Sequence, residues 1–150
     1  MRLVVQRVSE AAVVIAGREV GRIGTGLVVL VGVQAGDTPA DSAWLAAKLA
    51  ALRIFPDDAG KMNQSVCEIG GGLLVVSQFT LHAATARGNR PGFTRAAKPA
   101  ESIPLYEAFL ADLEREAGRR PERGVFGADM QVSLVNDGPV TILIDSRNRE

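Results

Sequence analysis

One cysteine and one histidine in 150 residues remove several kinds of chemistry at the outset. Cys67 has no partner for an internal disulfide, and with His82 alone no Cys/His zinc cluster can be assembled. Aromatic residues make up only 5% of the chain, so its core must be built from Val, Leu, Ile and Ala. Neither charge sign prevails: 17 basic and 17 acidic residues cancel. That balance argues against a protein that coats nucleic acid, DNA included, without regard to sequence. It leaves room for one defined RNA end met by a local basic patch. No apolar run approaches membrane-spanning length, and Met1-Arg2-Leu3-Val4-Val5-Gln6-Arg7 lacks the apolar stretch of a signal peptide. These features predict a soluble cytoplasmic protein without a membrane partner. The sequon Asn63-Gln64-Ser65 is then a chance match.

The length predicts a single domain over residues 1–150, burying about 68–70% of its unfolded surface. Arg2 to Ala16 alternates in hydropathy, and with Gly17 as a turn and Glu19–Ile23 returning it predicts a β-hairpin. Gly24-Thr25-Gly26 leads into the continuous apolar run Leu27–Val33, which predicts a strand buried on both faces. Thr38, Pro39 and Asp41 form a helix start, with Leu45, Leu49 and Leu52 as its apolar stripe and Phe55-Pro56 as its stop. Ile69-Gly70-Gly71-Gly72-Leu73 then echoes Ile23-Gly24-Thr25-Gly26-Leu27, so two similar strand–helix units are expected. A second helix is predicted from about Ser102 to a stop at Gly118, with a short strand near Val125-Phe126. Arg147–Glu150 is expected to fray.

Asn136-Asp137-Gly138 between two β-branched runs is hairpin chemistry. Pro139, however, removes a backbone donor where the second strand would begin and restricts Gly138. The combination suits a rigid tip that presents carbonyl oxygens outside its own sheet. A second candidate segment is Ser77-Gln78-Phe79-Thr80, polar and uncharged at the end of an apolar strand, where ligand sites commonly sit. A nucleophile built from Thr80 or Ser77 with His82 as base has no acidic orienter nearby in sequence. From spacing alone, these polar groups merely close a strand. Gly60-Lys61 lacks the remainder of a phosphate-binding loop, and Gly24-x-Gly26 opens a strand instead of a helix. Asp57 and Asp58 read as turn residues. Arg87, Arg90, Arg95 and Lys98 are candidate phosphate contacts with Phe93 as a stacking surface, and a solvated loop fits them as well.

Taken together, the chain resembles the D-aminoacyl-tRNA deacylases. The similarity runs from Met1-Arg2-x-Val4-Val5-Gln6-Arg7-Val8 through Leu52–Phe55, Gly60–Asn63, Val75–Leu81, Pro104–Glu107 and Phe126–Met130 to Asn136–Thr141. The ordered pair Ser-Gln-Phe-Thr and Asn-Asp-Gly-Pro carries most of its specificity. The resemblance implies a mixed α/β domain in β/β/α layers with two main helices, acting as a homodimer without cofactor or metal. It implies hydrolysis of the ester joining a D-amino acid to the 3′-terminal adenosine of tRNA, in translation proofreading, and acceptance of achiral glycine, including glycine mischarged on alanine tRNA. It further implies a cis Gly138-Pro139 peptide that enters the partner's pocket beside Ser77–Thr80 and excludes L side chains by clash. Catalysis would fall to Ser77, Gln78, Phe79 and Thr80, through either the Thr80 hydroxyl or backbone amides aided by the ribose 2′-hydroxyl. Gly138, Pro139, Met130 and Arg7 would serve substrate binding. His82 stands where many relatives have Tyr. A noncatalytic dimeric RNA-binding module and a Thr-nucleophile esterase are the competing readings.

Overall fold

A computed structural model describes residues 1–149. Its centre is a pair of parallel strands, β3 (Gly26–Gly32) and β6 (Gly72–Ser77), formed by the two echoing segments. They pair in register, Gly26 opposite Gly72 and Val31 opposite Ser77. A Cβ on Gly26 would overlap the Gly72 backbone, and one on Gly72 would lie 2.8 Å from Ile23 Cβ. Close approach of the two turns therefore requires glycine at both positions. Both faces of this pair are buried, as its unbroken hydropathy predicts. Leu27, Val29, Val31, Leu73 and Val75 join one core cluster, while Val28, Leu74 and Val76 join a second. The split follows the two-residue period of a strand.

Helices α1 (Pro39–Ala50) and α2 (Pro99–Ala117) cover the first face. Thr38 is the N-cap of α1, with Pro39 in its first turn, and the Asp41 carboxylate accepts the Thr38 N–H at 2.8 Å. Leu45 and Leu49 of α1 pack with Tyr106, Phe109 and Leu113 of α2. Ser42 Oγ donates to Asp112 Oδ2 at 2.7 Å, tying the helices together.

The second face is enclosed by the hairpin β1 (Arg2–Ile15) and β2 (Arg18–Ile23). The first half of β1 pairs with β3 and its second half with β2. Leu3 and Val5 belong to the helix-side core, but Val8, Ala11 and Val13 belong to the other. The sheet order β2-β1-β3-β6-β7, with β7 at Glu122–Arg123, curls until β2 meets β6 and β7. A Cβ on Gly21 would lie 3.2 Å from Leu74 Cδ1 and 3.4 Å from the Arg123 carbonyl. The sheet is thus nearly closed, a mixed α/β arrangement.

Several expectations shift. The first helix ends at Ala50, and Arg53–Pro56 is a strand, β4, antiparallel to β5 (Met62–Ser65). Ile54 and Phe55 suit a pleated, half-buried surface better than a helix end. Asp57 is the turn residue expected: its Oδ1 accepts the N–H groups of Ala59 and Lys61, each at 2.9 Å. Helix α2 begins at Pro99, three residues earlier than predicted, and Phe126 lies outside β7.

The largest correction concerns the last strand. β8 (Gln131–Asp145) does not fold into a hairpin; both its arms pair with β1. Thr141 faces Gln6 and Asn136 faces Val8, so residues 137–140 stand out from the ladder. Asn136 Nδ2 donates to the carbonyls of Arg7 and Val140, each at 3.0 Å, closing the protrusion at its neck. Turn chemistry is present, but β1 is long enough to partner both arms, so the turn is spent on a bulge.

The chain's ends are also held. The Met1 ammonium pairs with buried Asp37 at 2.8 Å and donates to Ser146 Oγ at 2.8 Å. Arg2 pairs with Asp145 at 2.9 Å. Instead of fraying, Arg147 pairs with Asp37 at 2.9 Å and Arg149 stacks 4.3 Å above the Trp44 ring. Glu150 lies outside the described residues.

Candidate active site

The parallel strands β3 and β6 end at the same level, and a cleft of about 300 Å³ opens beyond their carboxyl ends. Crevices at that end of parallel strands are common ligand sites. Ser77, Gln78 and Phe79 line one wall, Met130 and Phe126 another, and Tyr106 rises from α2. Tyr106 donates its hydroxyl to the Val75 carbonyl at 3.2 Å; burial, the main cause, pushes it up to about 12. Its ring packs 5.8 Å from that of Phe126. Tyr106 is therefore a fixed neutral wall at ordinary pH.

After β6, residues Phe79–His82 form a single 3₁₀ turn. The first N–H groups of such a turn have no acceptor within it, and those of Phe79 and Thr80 donate to no other backbone carbonyl among the described residues. Phe79 is 55% exposed. The turn is braced from behind: Gln78 N–H donates to the Val31 carbonyl at 2.7 Å, and Arg2 Nη1 to the Leu81 carbonyl at 2.8 Å. Thr80 Oγ1 accepts a hydrogen bond from Gln78 Nε2. Of the two residues only Phe79 lines the cleft, and a fixed backbone N–H at a cleft wall is suited to holding an oxyanion.

His82 does not serve Thr80. It is 1% exposed, and neither ring nitrogen has a hydrogen-bond partner among the described residues. Burial holds the imidazole below its ordinary range; the Gly32 backbone and the Asp37 carboxylate oppose this, while the Arg2 guanidinium and N-terminal ammonium push the same way as burial. A buried neutral His resists protonation in the folded state but not in the unfolded chain. Its contribution to stability is complete above the ordinary pKa of 6.5 and is lost as pH falls below it. We expect stability to drop below about pH 6.5 by up to about 1.4 kcal/mol per pH unit. His82→Leu should flatten urea-unfolding free energies between about pH 7.5 and 5.5. An unchanged pH dependence in that variant would refute the assignment.

The remaining predicted site residues gather elsewhere. Arg7 Nη1 donates to the Ile54 carbonyl at 2.6 Å and Nε to the Asp137 carbonyl at 3.1 Å, with the Asp137 carboxylate also 3.1 Å away. Arg7 thus props the protruding tip that carries Gly138 and Pro139, whose peptide bond is cis. Arg7 is level with Leu27 and Leu73, whereas Ser77 is level with Leu3 and Val31. Followed along the curled sheet, the tip therefore lies four residues down the strands, roughly 13 Å, and three strands away from Ser77. The cleft unites Ser77, Gln78, Phe79 and Met130; Arg7, Gly138 and Pro139 form a separate group. Phe126, Tyr106 and Arg2 were not among the predicted site residues, and Tyr106 in particular has only the signature of a helix stripe. No cluster of three or more His, Cys, Asp or Glu side chains that could hold a metal occurs among the described residues.

The cleft is lined mainly by apolar side chains, with Ser77, Gln78, Ser102 and Tyr106 as its uncharged polar groups and no charged side chain among its lining residues. The family model for D-Tyr-tRNA(Tyr) deacylase matches residues 4–145, so the chain belongs to that family. It is similar to the D-aminoacyl-tRNA deacylase of Akkermansia muciniphila, 61% identical over 150 residues and covering all of both chains. Among solved structures it resembles that of a c-Myc DNA Unwinding Element Binding Protein, with TM-score 0.90 and 39% identity over 97% of this chain and 98% of that one. A probable eukaryotic D-amino acid tRNA deacylase shares the fold, with TM-score 0.83 and 18% identity over 95% and 97% of the two chains.

Proposed function

We propose that this protein, as one catalytic domain, hydrolyses the ester between a D-amino acid and the terminal adenosine of tRNA. Free amino acid and tRNA are released, a proofreading step in the cytoplasm. The observation that carries the reading is the cleft lined by Ser77, Gln78, Phe79 and Met130, beside a turn whose Phe79 and Thr80 N–H groups have no backbone acceptor elsewhere among the described residues. In this reading the adenine rests against Met130, and the Phe79 and Thr80 amides stabilise the oxyanion as water adds to the ester carbonyl. The ribose 2′-hydroxyl, the nearest hydroxyl to that carbonyl, assists the attack, and the 3′-oxygen leaves with a proton. Thr80 is a poor nucleophile here because His82, the only imidazole, is buried away from it.

Chiral selection belongs to the Gly138-Pro139 tip of a second copy. The separation along the curled sheet argues against its reaching its own chain's cleft, and β8 offers a means of association. Apart from β1, no strand among the described residues pairs with it, and Leu143 on it is 61% exposed. Such an edge is a template for pairing with another chain. Carbonyls of the incoming tip hold the substrate's amino group and occupy the space an L side chain needs, while glycine passes. Residue Arg7 acts through the tip.

Wild-type protein should release amino acid from D-tyrosyl-tRNA at least about a hundredfold faster than from L-tyrosyl-tRNA, because a backbone clash discriminates more steeply than pocket fit. Equal release, or none from the D-substrate, would refute the reading. A DNA duplex added as competitor tests for the DNA binding that the name of the 39% identical protein describes; on our reading it leaves the rate unchanged.

A further inference from the structure

The catalytic reading leaves the segment after the 3₁₀ turn unused. From Ile69 to Ala100 the chain contains no Asp or Glu, yet it carries Arg87, Arg90, Arg95 and Lys98. All four are exposed, and none forms a salt bridge among the described residues. In a chain of zero net charge this is a positive segment whose basic side chains are exposed. It is also constructed. Ala84 and Gly92 exchange backbone hydrogen bonds at 2.7 and 2.9 Å, closing the loop that holds Arg87 and Arg90. Ala35 N–H donates to the Arg95 carbonyl at 3.1 Å, and Ala97 N–H to the Val33 carbonyl at 3.0 Å, which anchors the segment beside β3.

The same segment carries Phe93, 38% exposed, whose ring meets that of Phe79 edge to face with centroids 5.0 Å apart. Phe79 lines the cleft. Two exposed aromatic rings continuous with the cleft, bordered by unpaired guanidinium groups, have the makeup of a platform for single-stranded nucleic acid. Bases stack on the rings and cations follow the phosphates.

We propose that Phe79 and Phe93 stack the nucleotide preceding the terminal adenosine, and that Arg87, Arg90 and Arg95 hold the phosphates of that single-stranded end. The assignment rests on the proposed tRNA substrate and extends it from the reacting nucleotide to the strand behind it. A merely solvated loop would need neither the aromatic pair nor the exclusion of acidic residues.

The test compares a fluorescent RNA hairpin bearing a 3′ ACCA overhang with the same hairpin lacking it, by anisotropy across a potassium chloride series. Wild type should prefer the overhang. Arg87→Ala/Arg90→Ala should weaken overhang binding about tenfold and reduce the slope of log affinity against log salt by about 0.7 per lost phosphate contact. Phe93→Ala should weaken it about tenfold with the slope unchanged. The charge-matched Arg18→Ala/Arg120→Ala should match wild type. Loop variants that bind like wild type, a control that loses as much, or indifference to the overhang would each overturn the proposal. The loop variants should hydrolyse 3′-O-(D-tyrosyl)adenosine, which lacks phosphates, at the wild-type rate; loss there would mark a structural defect and also overturn it. If wild type hydrolyses no D-aminoacyl ester, the function proposed above fails, and the uncharged-RNA comparison still decides the loop.

Discussion

Replacing the terminal 2′-hydroxyl of D-tyrosyl-tRNA by hydrogen should slow hydrolysis by about a thousandfold, whereas Thr80→Ala should cost less than about tenfold. The surroundings of Thr80 set this contrast. Its oxygen accepts from Gln78 Nε2, and the only His faces the interior with no route to the hydroxyl. A hydroxyl without a base gains little as a nucleophile. On the proposed reading the Phe79 and Thr80 amides lower the barrier by meeting developing charge, an effect that survives removal of the Thr80 side chain. What remains to be supplied is proton handling at the attacking water, and the substrate's own hydroxyl is placed for it. Single-turnover rates on the deoxy-terminated and normal substrates measure this directly. Equal rates would eliminate RNA assistance, and complete loss in Thr80→Ala with unchanged RNA affinity would restore a Thr nucleophile.

Gly138→Ala should lower kcat/KM for D-tyrosyl-tRNA by at least about a hundredfold while leaving the protein folded. Gly138 has φ +135°, a region L side chains rarely adopt, and an added Cβ would lie 2.8 Å from Val140 Cγ2 and 2.9 Å from Val140 N. Holding Ala there costs on the order of 1–3 kcal/mol, less than the roughly 5–15 kcal/mol typical of a domain. The tip then shifts, and its carbonyls leave the positions that bind the amino group. Mixing this variant with Ser77→Phe, which fills the cleft, separates a displaced tip from general damage. If tips are exchanged between subunits as proposed, a mixed dimer retains one intact cleft facing one intact tip. Random 1:1 assortment should therefore restore about a quarter of wild-type activity. No recovery would mean that the tip works within its own subunit.

Much of this site can be read in the sequence because backbone chemistry leaves marks there. Thr38-Pro39 starts a helix in the structure as its capping chemistry predicts, and the paired Ile-Gly-x-Gly-Leu turns anticipate two buried strands, though not that they lie against each other. That pairing depends on contacts 46 residues apart, Gly26 with Gly72, which no local pattern encodes. Asn136-Asp137-Gly138 is misleading for a related reason: a turn motif specifies a local reversal, and whether its arms pair with each other depends on β1, more than a hundred residues earlier. Phe55-Pro56 reads as a helix stop on paper, yet pairing with β5 makes Arg53–Pro56 a strand. Phe126 and Tyr106 escape notice because a buried aromatic on a helix or loop has the same signature whether or not a cleft opens beside it.

The bracing of the 3₁₀ turn bears on when the protein becomes competent. Arg2, which holds the Leu81 carbonyl, is itself fixed by Asp145, and the neighbouring Met1 ammonium is fixed by Ser146. The start of β1 is thus locked by residues at and just after the end of β8, and β1 lacks its outer partner until β8 is made. A chain still under construction has the cleft's residues but not their support. Competence arrives with β8.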